Sequence, residues 1–397
     1  METYEDILDT STLQLSGDFE QQMATIIQNF RLTKEQVERL EELFRDLYNA
    51  LSSEWCDIHI MGFGSVVTGL GTKTSDVDCY IQLPRWMHPP DRSYVIRARD
   101  ILMRHKHIFE NAFAIVQAKV PIVQFYHIPT QVNCDINFSC PAGVENSKLI
   151  RYLLDCDKRA LHLAIFVKYW SKIHHFTGTN LMTSYCLTIL VIFFLQHYNM
   201  LPSVKYLQEN IEELNVNDWN SAFNTTPYSD FDSDISMYEL LGNFFKYYKT
   251  FEFDKYIICP YLGRPVKRED FANVESVPSE FSAYRTNVGL KKLNPLRLDS
   301  MMCVQDPFEH NRNCAVAVYP KLVQNIKALI ENAVCIYENE SQNDFLNKLL
   351  HSTIILNSAT KKKKKQKQKF PKLNGVKKNY RQNQNFKSYL RGRNHRR

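Results

Sequence analysis

Apolar and polar positions alternate with a helical period near the start of the chain. Between residues 20 and 53, apolar side chains recur every three or four positions, as at Met23, Ile26, Ile27 and Phe30. This spacing places them on one face of a helix. We therefore expect amphipathic helices over residues 20–53.

From residue 57 the pattern changes to short runs of β-branched and aromatic residues. Such runs are typical of strands, and they lie at 58–63, 77–83, 113–118, 120–128 and 131–138. A helix is expected at about residues 94–107, between the second run and the third. Strands and helices in this order predict an α/β segment over residues 54–145.

Helical spacing returns after residue 145 and continues to about residue 338. These segments are rich in Leu, Phe and Tyr and lie close together, which predicts a helical domain that also includes residues 20–53. Its longest apolar run, 185–195, is shorter than the ~20 residues that cross a bilayer, so we expect a buried helix. Short β-like runs are expected near residues 256–266.

The last 40 residues differ from the rest in charge and hydrophobicity. The whole chain has 49 Lys+Arg and 43 Asp+Glu, but residues 361–397 contain 16 Lys+Arg and no acidic residue. The remainder, with 33 basic and 43 acidic residues, has a net charge of −10. Residues 358–397 are therefore expected to be a disordered basic tail. Its two candidate roles are RNA binding and nuclear import, the latter through an import receptor.

Cysteine spacing and the N-terminus indicate an intracellular protein. The ten cysteines form no CxxC pair and no zinc-like cluster, which favours reduced thiols. Residues 1–20 show neither a signal peptide nor an Arg-rich mitochondrial presequence. We expect a cytoplasmic or nuclear protein that is not secreted and has no membrane span.

Candidate chemistry is concentrated in residues 62–81. Gly64 and Ser65 follow the first predicted strand, and Asp76 and Asp78 lie two apart on the second. Residues two apart on a strand face the same side, so both carboxylates can hold a hard cation such as Mg²⁺ with substrate phosphates. A helix start at Ser65–Gly69 is expected to present N–H groups to a phosphate.

A third carboxylate, Asp135, lies among apolar neighbours on the last predicted strand. An unpaired carboxylate is costly to bury in a strand. Together with Asp76 and Asp78, it is a candidate for a site that holds two metal ions. The alternative is that Asp76 and Asp78 are at a solvated strand end and that Asp135 is a turn residue.

These motifs resemble the nucleotidyltransferases of the polymerase-β superfamily, specifically terminal uridylyltransferases and the similar cytoplasmic poly(A) polymerases. The resemblance covers about residues 20–338. The Gly-Ser and Asp-x-Asp motifs of this family correspond to 64–65 and 76–78, its third acid corresponds to Asp135, and AKVPIVQF (118–125) resembles its preceding strand. It implies a protein of the α+β class. A polymerase-β-like catalytic domain, a mixed sheet with flanking helices, is expected at 54–145, and a poly(A)-polymerase-like helical central domain at 20–53 and 146–338.

The resemblance also implies roles for residues of the helical domain. Two lysines approach the triphosphate, a Ser touches phosphate, a Tyr stacks on the base, and an Asn and a Ser contact ribose and base. The corresponding residues are Lys168, Lys172, Ser184, Tyr185, Asn146 and Ser147. The residues alone leave other interpretations open, namely surface lysines, a core tyrosine and a helix cap.

The family's nucleotide-recognition loop corresponds to residues 301–318. The resemblance assigns Asp306 and Glu309 to the base edge. Many uridylyltransferases have a His just before the loop's final Asn, where this chain has Arg312 before Asn313. The loop length favours UTP, whereas the missing His weakens that preference. Arg312 can donate to a uracil carbonyl or contact the RNA 3′ end.

The implied activity is template-independent addition of uridylates from UTP to RNA 3′ ends, with two Mg²⁺ or Mn²⁺ ions and release of pyrophosphate. The alternatives are a poly(A) polymerase using ATP, an oligonucleotide-synthesising enzyme, and a non-catalytic RNA-binding scaffold. The body shows no RNA-binding module of a known type. We therefore expect a monomeric catalytic unit that obtains RNA through its cleft, a protein adaptor or the tail at 361–397.

Overall fold

A five-stranded sheet occupies the first half of the chain, with helices before it and within it. The computed structural model describes residues 8–10, 13–87, 89–226 and 234–352. The strands of the sheet are β1 (His59–Phe63), β2 (Val77–Gln82), β3 (Phe109–Ile115), β4 (Ile122–His127) and β5 (Val132–Asn137). The helices of this part are α1 (Phe19–Phe30), α2 (Lys34–Glu38), α3 (Leu40–Leu51) and α4 (Arg92–Leu102).

The rest of the described chain is mainly helical. Its helices are α5 (Ala142–Asp155), α6 (Lys158–Ile173), α7 (Ser184–His197), α8 (Val204–Leu207), α9 (Met237–Thr250), α10 (Ser282–Gly289), α11 (Pro320–Asn339) and α12 (Gln342–His351). Its short strands are β6 (Asn215–Val216), β7 (Trp219–Asn220), β8 (Tyr256–Ile257) and β9 (Val266–Lys267). This arrangement confirms the predicted α+β class.

The order of the strands brings distant acidic residues together. The strands lie in the order β1-β2-β5-β4-β3. β2 and β5 are parallel, and the other neighbouring pairs are antiparallel. In this register Asp78 lies opposite Asp135. The pairing brings together two residues that are far apart in the sequence.

The two faces of the sheet have different surroundings. One face packs apolar side chains such as Val77, Cys79 and Ile136 against α3 and α4. Successive side chains on a strand point to opposite faces. Asp78 and Asp135 alternate with these apolar residues, so their carboxylates lie on the other face, away from that core.

The segment predicted as one helical unit, residues 20–53, is divided between two cores. Phe19 and Met23 of α1 are buried in the core of the helical part. Leu43 and Leu47 of α3 are instead buried against the sheet. Helical periodicity identifies the buried face of a helix but contains no information about its packing partner. Residues 40–51, which were expected with the helical domain, therefore pack in the core of the sheet.

Two other differences concern the helical part. The region expected to be helical up to about residue 338 includes only a short helix at Val204–Leu207, which is followed by the β6–β7 hairpin. The body continues beyond residue 338 through α12. The tail predicted at 358–397 lies outside the described residues. Within the described part of the chain, no helix has the length and apolar character needed to span a bilayer.

Candidate active site

A tight turn at Gly64 follows β1. Gly64 has a φ of +77°, which glycine adopts without strain, and a β-carbon there would clash with the carboxylate of Asp78. The Gly64 N–H donates to Ser147 Oγ at 2.8 Å, and that hydroxyl donates to the carbonyl of Gly143 at 2.7 Å. Helix α5 therefore holds the turn beside Asp78.

The helix start expected at Ser65–Gly69 is wrong, because the structure has turns there. The loop that follows is fixed through its carbonyl groups. Arg31 Nε donates to the Gly69 oxygen at 2.9 Å, and Lys168 Nζ donates to the Leu70 oxygen at 2.7 Å. Residues 64–70 therefore form a loop, which we call the cradle, and this loop contains no helix N-terminus that could bind a phosphate.

Two carboxylates lie at the edge of this cradle. Asp78 lies on β2. Asp76 was expected on the same strand, but it precedes the strand by one residue. Both border a cavity of about 340 Å³. Burial raises the pKa of Asp78 to about 7, with added repulsion from Asp135 and Asp76 and an opposing effect of Lys168. The site thus destabilises the ionised carboxylate when no cation is bound.

Asp135 borders a second cavity. This cavity has a volume of about 330 Å³ and is lined by Asp76 as well as Asp135. Gln124 Nε2 donates to Asp135 Oδ2 at 3.1 Å. Burial raises the pKa of Asp135, the hydrogen bond from Gln124 lowers it, and the charge of Asp76 raises it. Asp76 therefore lies between two cavities.

The carboxylates fit divalent cations that are shared with a substrate. Among the described residues, no three His, Cys, Asp or Glu side chains already surround one metal position. Asp76, Asp78 and Asp135 nevertheless repel one another, and the raised pKa of Asp78 shows the cost. Phosphate oxygens are common additional ligands of Mg²⁺ in such sites. These residues could hold cations whose coordination is completed by phosphate.

Two lysines of α6 line the first cavity. Lys168 is buried, and burial together with Lys172 lowers its pKa to about 7, while Asp78 has the opposite effect. Burial also lowers the pKa of Lys172, partly offset by Asp76. Lys168 is therefore not a surface lysine. A bound triphosphate would favour the charged form of both side chains.

Helix α7 presents its first turn to the same cavity. The side chain of Thr183 accepts a hydrogen bond from the Cys186 N–H and caps the helix, and Ser184 and Tyr185 line the cavity. Five further hydroxyl residues line this cavity and are not among the predicted site residues. They are Thr68, Thr72, Thr74, Ser75 and Thr188. Three of them, at 72–75, lie between the Gly-Ser and Asp-x-Asp motifs, and this position in the sequence indicates that they line the same site.

Asp306 organises the loop beside Tyr185. It is fully buried, and its Oδ1 accepts the N–H groups of Phe308 at 3.1 Å and Glu309 at 3.0 Å. Its Oδ2 accepts the hydroxyl of Tyr185 at 2.9 Å. The carboxylate therefore joins the recognition loop to α7.

Arg312 and Asn146 complete the surroundings of Tyr185. The Arg312 guanidinium lies 5.6 Å from the centre of the Tyr185 ring, and its Nη1 lies 3.5 Å from Asp306 Oδ2 and 3.2 Å from Glu309 Oε2. Asn146 Nδ2 donates to Asp306 Oδ2 at 3.5 Å. In the described part of the chain, Asn146 Oδ1 is buried without a hydrogen-bond partner, which is a position suited to a ligand donor.

The loop's own histidine lies away from this site. His310 is buried against the rings of Trp219, Tyr261 and Phe281, with ring centres 5.2, 4.2 and 5.2 Å away. Burial lowers its pKa to about 3. His310 is therefore a neutral residue of an aromatic cluster that supports the loop. It does not lie at the position of the family's base-contacting histidine, which is occupied here by Arg312.

The predicted site residues therefore form three neighbouring groups. Nine line the first cavity: Gly64, Ser65, Asp76, Asp78, Ser147, Lys168, Lys172, Ser184 and Tyr185. Asn146, Asp306 and Arg312 adjoin Tyr185, and Glu309 contacts Arg312. Asp135 borders the second cavity.

We expect Asp78→Asn to stabilise the metal-free protein at neutral pH. Asp78 has a raised pKa of about 7 in the folded state, so its contribution to stability is greatest in acid and is lost as pH rises toward 7. The difference in unfolding free energy between variant and wild type should grow by roughly 2–4 kcal/mol from pH 4 to 7. Urea unfolding in EDTA measures it, and a difference that does not change with pH would contradict the assignment.

Two family models match this chain. "Poly(A) RNA polymerase, mitochondrial-like, central palm domain" matches residues 19–155, and "Cid1 family poly A polymerase" matches residues 236–312. The chain belongs to the poly(A) and poly(U) polymerase family of the polymerase-β nucleotidyltransferase superfamily. Nucleotidyltransferases of this superfamily generally use two divalent metal ions.

Curated relatives of this chain carry the names of poly(A) RNA polymerases. Poly(A) RNA polymerase gld-2 homolog B of Drosophila melanogaster is 28% identical over 50% of this chain and 16% of that protein. Poly(A) RNA polymerase cid11 of Schizosaccharomyces pombe is 24% identical over 76% of this chain and 59% of that protein. The chain spans less than a third of the first curated relatives it matches.

Solved structures share the fold. A crystal structure of mtPAP in complex with UTP has a TM-score of 0.73 at 19% identity, over 88% of this chain and 74% of that one. A structure of a cytoplasmic RNA terminal U-transferase has a TM-score of 0.69 at 18% identity, over 85% of this chain and 99% of that one. Both comparisons support the α+β architecture of this chain.

Proposed function

We propose that this chain transfers uridylate from UTP to the 3′ end of RNA without a template and releases pyrophosphate. The observation that carries the proposal is the first cavity, in which two carboxylates, Asp76 and Asp78, lie with the two lysines Lys168 and Lys172. The lysines suit the β- and γ-phosphates, and the carboxylates suit cations beside the α-phosphate. This combination fits nucleotidyl transfer better than simple RNA binding.

The chain's own residues bind and orient both reactants in this proposal. Lys168, Lys172, Ser65 and Ser184 hold the terminal phosphates, and Tyr185 stacks on the base. The RNA 3′-hydroxyl loses its proton to water as its oxygen bonds to the α-phosphorus. The bond from that phosphorus to the pyrophosphate oxygen breaks, and pyrophosphate leaves with the electron pair.

The carboxylates provide the charge that holds the metal ions. Asp76, Asp78 and Asp135 would bind two Mg²⁺ or Mn²⁺ ions. When bound, such ions polarise the phosphate and stabilise the attacking and leaving oxygens. Gln124 orients the Asp135 carboxylate through its hydrogen bond to Oδ2, and Asn146 Oδ1 is placed to accept a hydroxyl of the ribose.

Arg312 supports the choice of UTP. Arginine donates hydrogen bonds and accepts none. Uracil presents a carbonyl acceptor at the position where adenine carries an amino donor. A base stacked on Tyr185 would lie close to Arg312, since the guanidinium is 5.6 Å from the ring centre. An adenine amino group at the same position would place its N–H donors opposite those of Arg312, so no hydrogen bond could form between them.

The second candidate is a poly(A) polymerase that uses ATP. The printed names of the curated relatives favour it, and Glu309 offers an acceptor for an adenine amino group. Separate incubations of the protein with a short RNA, Mg²⁺ and each of the four nucleoside triphosphates distinguish the candidates. The proposal expects the fastest extension with UTP, and faster extension with ATP would replace it with the second candidate.

We expect Arg312→Ala to lower kcat/KM for UTP about tenfold, because a charge-assisted hydrogen bond to uracil is lost, while kcat/KM for ATP falls less. Arg297→Ala is the matched control, since Arg297 pairs with Asp299 on the surface. Arg312→His, which restores the family's residue, should raise the UTP/ATP ratio. Equal losses for both nucleotides in Arg312→Ala would reject the role of Arg312 in base choice.

The tail and the location of the protein remain proposals of their own. A polycation at residues 361–397 would attract RNA phosphates with a strong dependence on salt, and a nuclear-import role would leave RNA affinity unchanged. Comparison of RNA affinity across salt concentrations, with and without these residues, separates the two roles. A protein adaptor for RNA choice and a cytoplasmic or nuclear location are proposed on the sequence alone.

A further inference from the structure

An exposed aromatic ring lies in line with the carboxylates of the sheet. Register partners across the five strands form one row, which runs from Phe63 through Asp78, Asp135 and Gln124 to Phe113. We call these five residues the cross-strand row. Paired residues share a face of the sheet, so Phe113 lies on the same face as the carboxylates. Its exposure is 63%, which is high for a phenylalanine.

The second cavity meets the cross-strand row at Asp135 and Gln124. Gln124 lines this cavity and is the register partner of both Asp135 and Phe113. Neighbouring strands lie about 4.8 Å apart, so the backbone of Phe113 is about 10 Å from that of Asp135. A nucleoside bound at Asp135 would therefore reach the part of the sheet that Phe113 covers.

A β-bulge directs an amide into the same cavity. The register of β3 and β4 shifts between Glu110 and Phe113, and Asn111 has a φ of +54°. Bulges next to active sites re-aim side chains, and a positive φ at a residue other than glycine has a local cost. Asn111 lines the second cavity as a result.

Apart from Asp76 and Asp135, the residues that line this cavity are uncharged, and they suit the nucleoside part of RNA. Its amide side chains belong to Asn111, Gln124 and Asn133, and Tyr126 lies with them. Amides and phenols donate to and accept from ribose hydroxyls and base edges. The first cavity has lysines in place of these amides. The two cavities thus differ as a triphosphate site and a nucleoside site would.

We propose that the second cavity receives the 3′-terminal nucleoside of the acceptor RNA and that Phe113 stacks on a base near that end. The inference rests on the proposed function, which identifies the acceptor as RNA. Phe113 is then a residue that positions the acceptor, and its ring supplies affinity without a preference among bases.

Binding of a blocked RNA tests the role of Phe113 without any transfer. The probe is a fluorescent six-nucleotide RNA with a 3′-deoxy end, measured by anisotropy with the full chain in Mg²⁺ at several salt concentrations. Phe113→Ala should weaken binding about tenfold, and Phe113→Trp should restore it. The loss should be similar at each salt concentration, because no phosphate contact is removed.

A control variant and a kinetic measurement complete the test. Tyr48 is 45% exposed on α3, which packs on the opposite face of the sheet, so Tyr48→Ala should bind the probe like wild type. In extension assays Phe113→Ala should raise KM for RNA and leave KM for the nucleotide unchanged. Unchanged RNA affinity, or an equal loss in Tyr48→Ala, overturns the inference. Wild-type protein that binds RNA but transfers no nucleotide overturns the proposed function alone.

Discussion

Asp78→Asn should lower the rate of nucleotide transfer about a thousandfold. The substitution keeps the shape of the side chain and removes the charge next to Asp76 and opposite Asp135. Loss of a cation ligand at the reacting phosphate removes several kcal/mol of transition-state stabilisation, and each 1.36 kcal/mol is a factor of ten. The measurement is single-turnover extension of a 5′-labelled RNA with a saturating nucleotide.

The control for this variant is Asp100→Asn, which changes an exposed aspartate that pairs with Arg99. It should extend RNA at the wild-type rate. Asp78→Asn should still bind RNA, because the fold and the remaining lining of both cavities are unchanged. Retention of a tenth or more of the wild-type rate in Asp78→Asn would show that this carboxylate does not hold a catalytic ion.

The second large effect is expected for Asp306→Ala. This substitution leaves the N–H groups of Phe308 and Glu309 without the oxygen that accepts them, and Tyr185 loses its partner. An unsatisfied buried donor costs about 1–3 kcal/mol. We expect a loss of about 3 kcal/mol in unfolding free energy, and a rise in KM for the nucleotide of at least tenfold because Tyr185 and Arg312 lose their anchor.

Urea unfolding and steady-state kinetics measure the two parts of this prediction. Asp299→Ala is the control, since Asp299 is an exposed residue paired with Arg297 and its loss should change stability by less than about 0.5 kcal/mol. Asp306→Asn should retain the contacts to the two N–H groups, so its effect should fall mainly on KM. Wild-type stability in Asp306→Ala would contradict the anchoring role.

Local patterns in the sequence predicted much of the fold but not its pairings. The strands and most helices follow from periodicity, and the structure has them close to the expected positions. The pairing of Asp78 with Asp135 depends on a parallel register between β2 and β5, which is a long-range property. The hydrophobic face of α3 could also be predicted from periodicity. Its packing partner could not, because either of the two cores could bury that face.

The site shows the same division between local and long-range information. Motif resemblance located Asp76, Asp78 and Lys168, whose spacing in the chain is distinctive. It assigned Asp306 to the base edge, which stays a prediction. The contacts of the two Asp306 oxygens with Tyr185 and the recognition loop were not predicted. Gln124 and Phe113 were missed, because their proximity to Asp135 arises only from strand register.

Transfer of a nucleotide to a free RNA 3′-hydroxyl is the reaction that we propose for this chain, and a comparison of two RNAs tests it. Two 5′-labelled RNAs, one with a 3′-hydroxyl and one with a 3′-deoxy end, are incubated with the full chain, Mg²⁺ and UTP, and pyrophosphate is measured with the products. We expect extension and pyrophosphate only for the RNA with the 3′-hydroxyl, and neither with Asp78→Asn. No extension of that RNA by the wild-type protein with any of the four nucleoside triphosphates would contradict it.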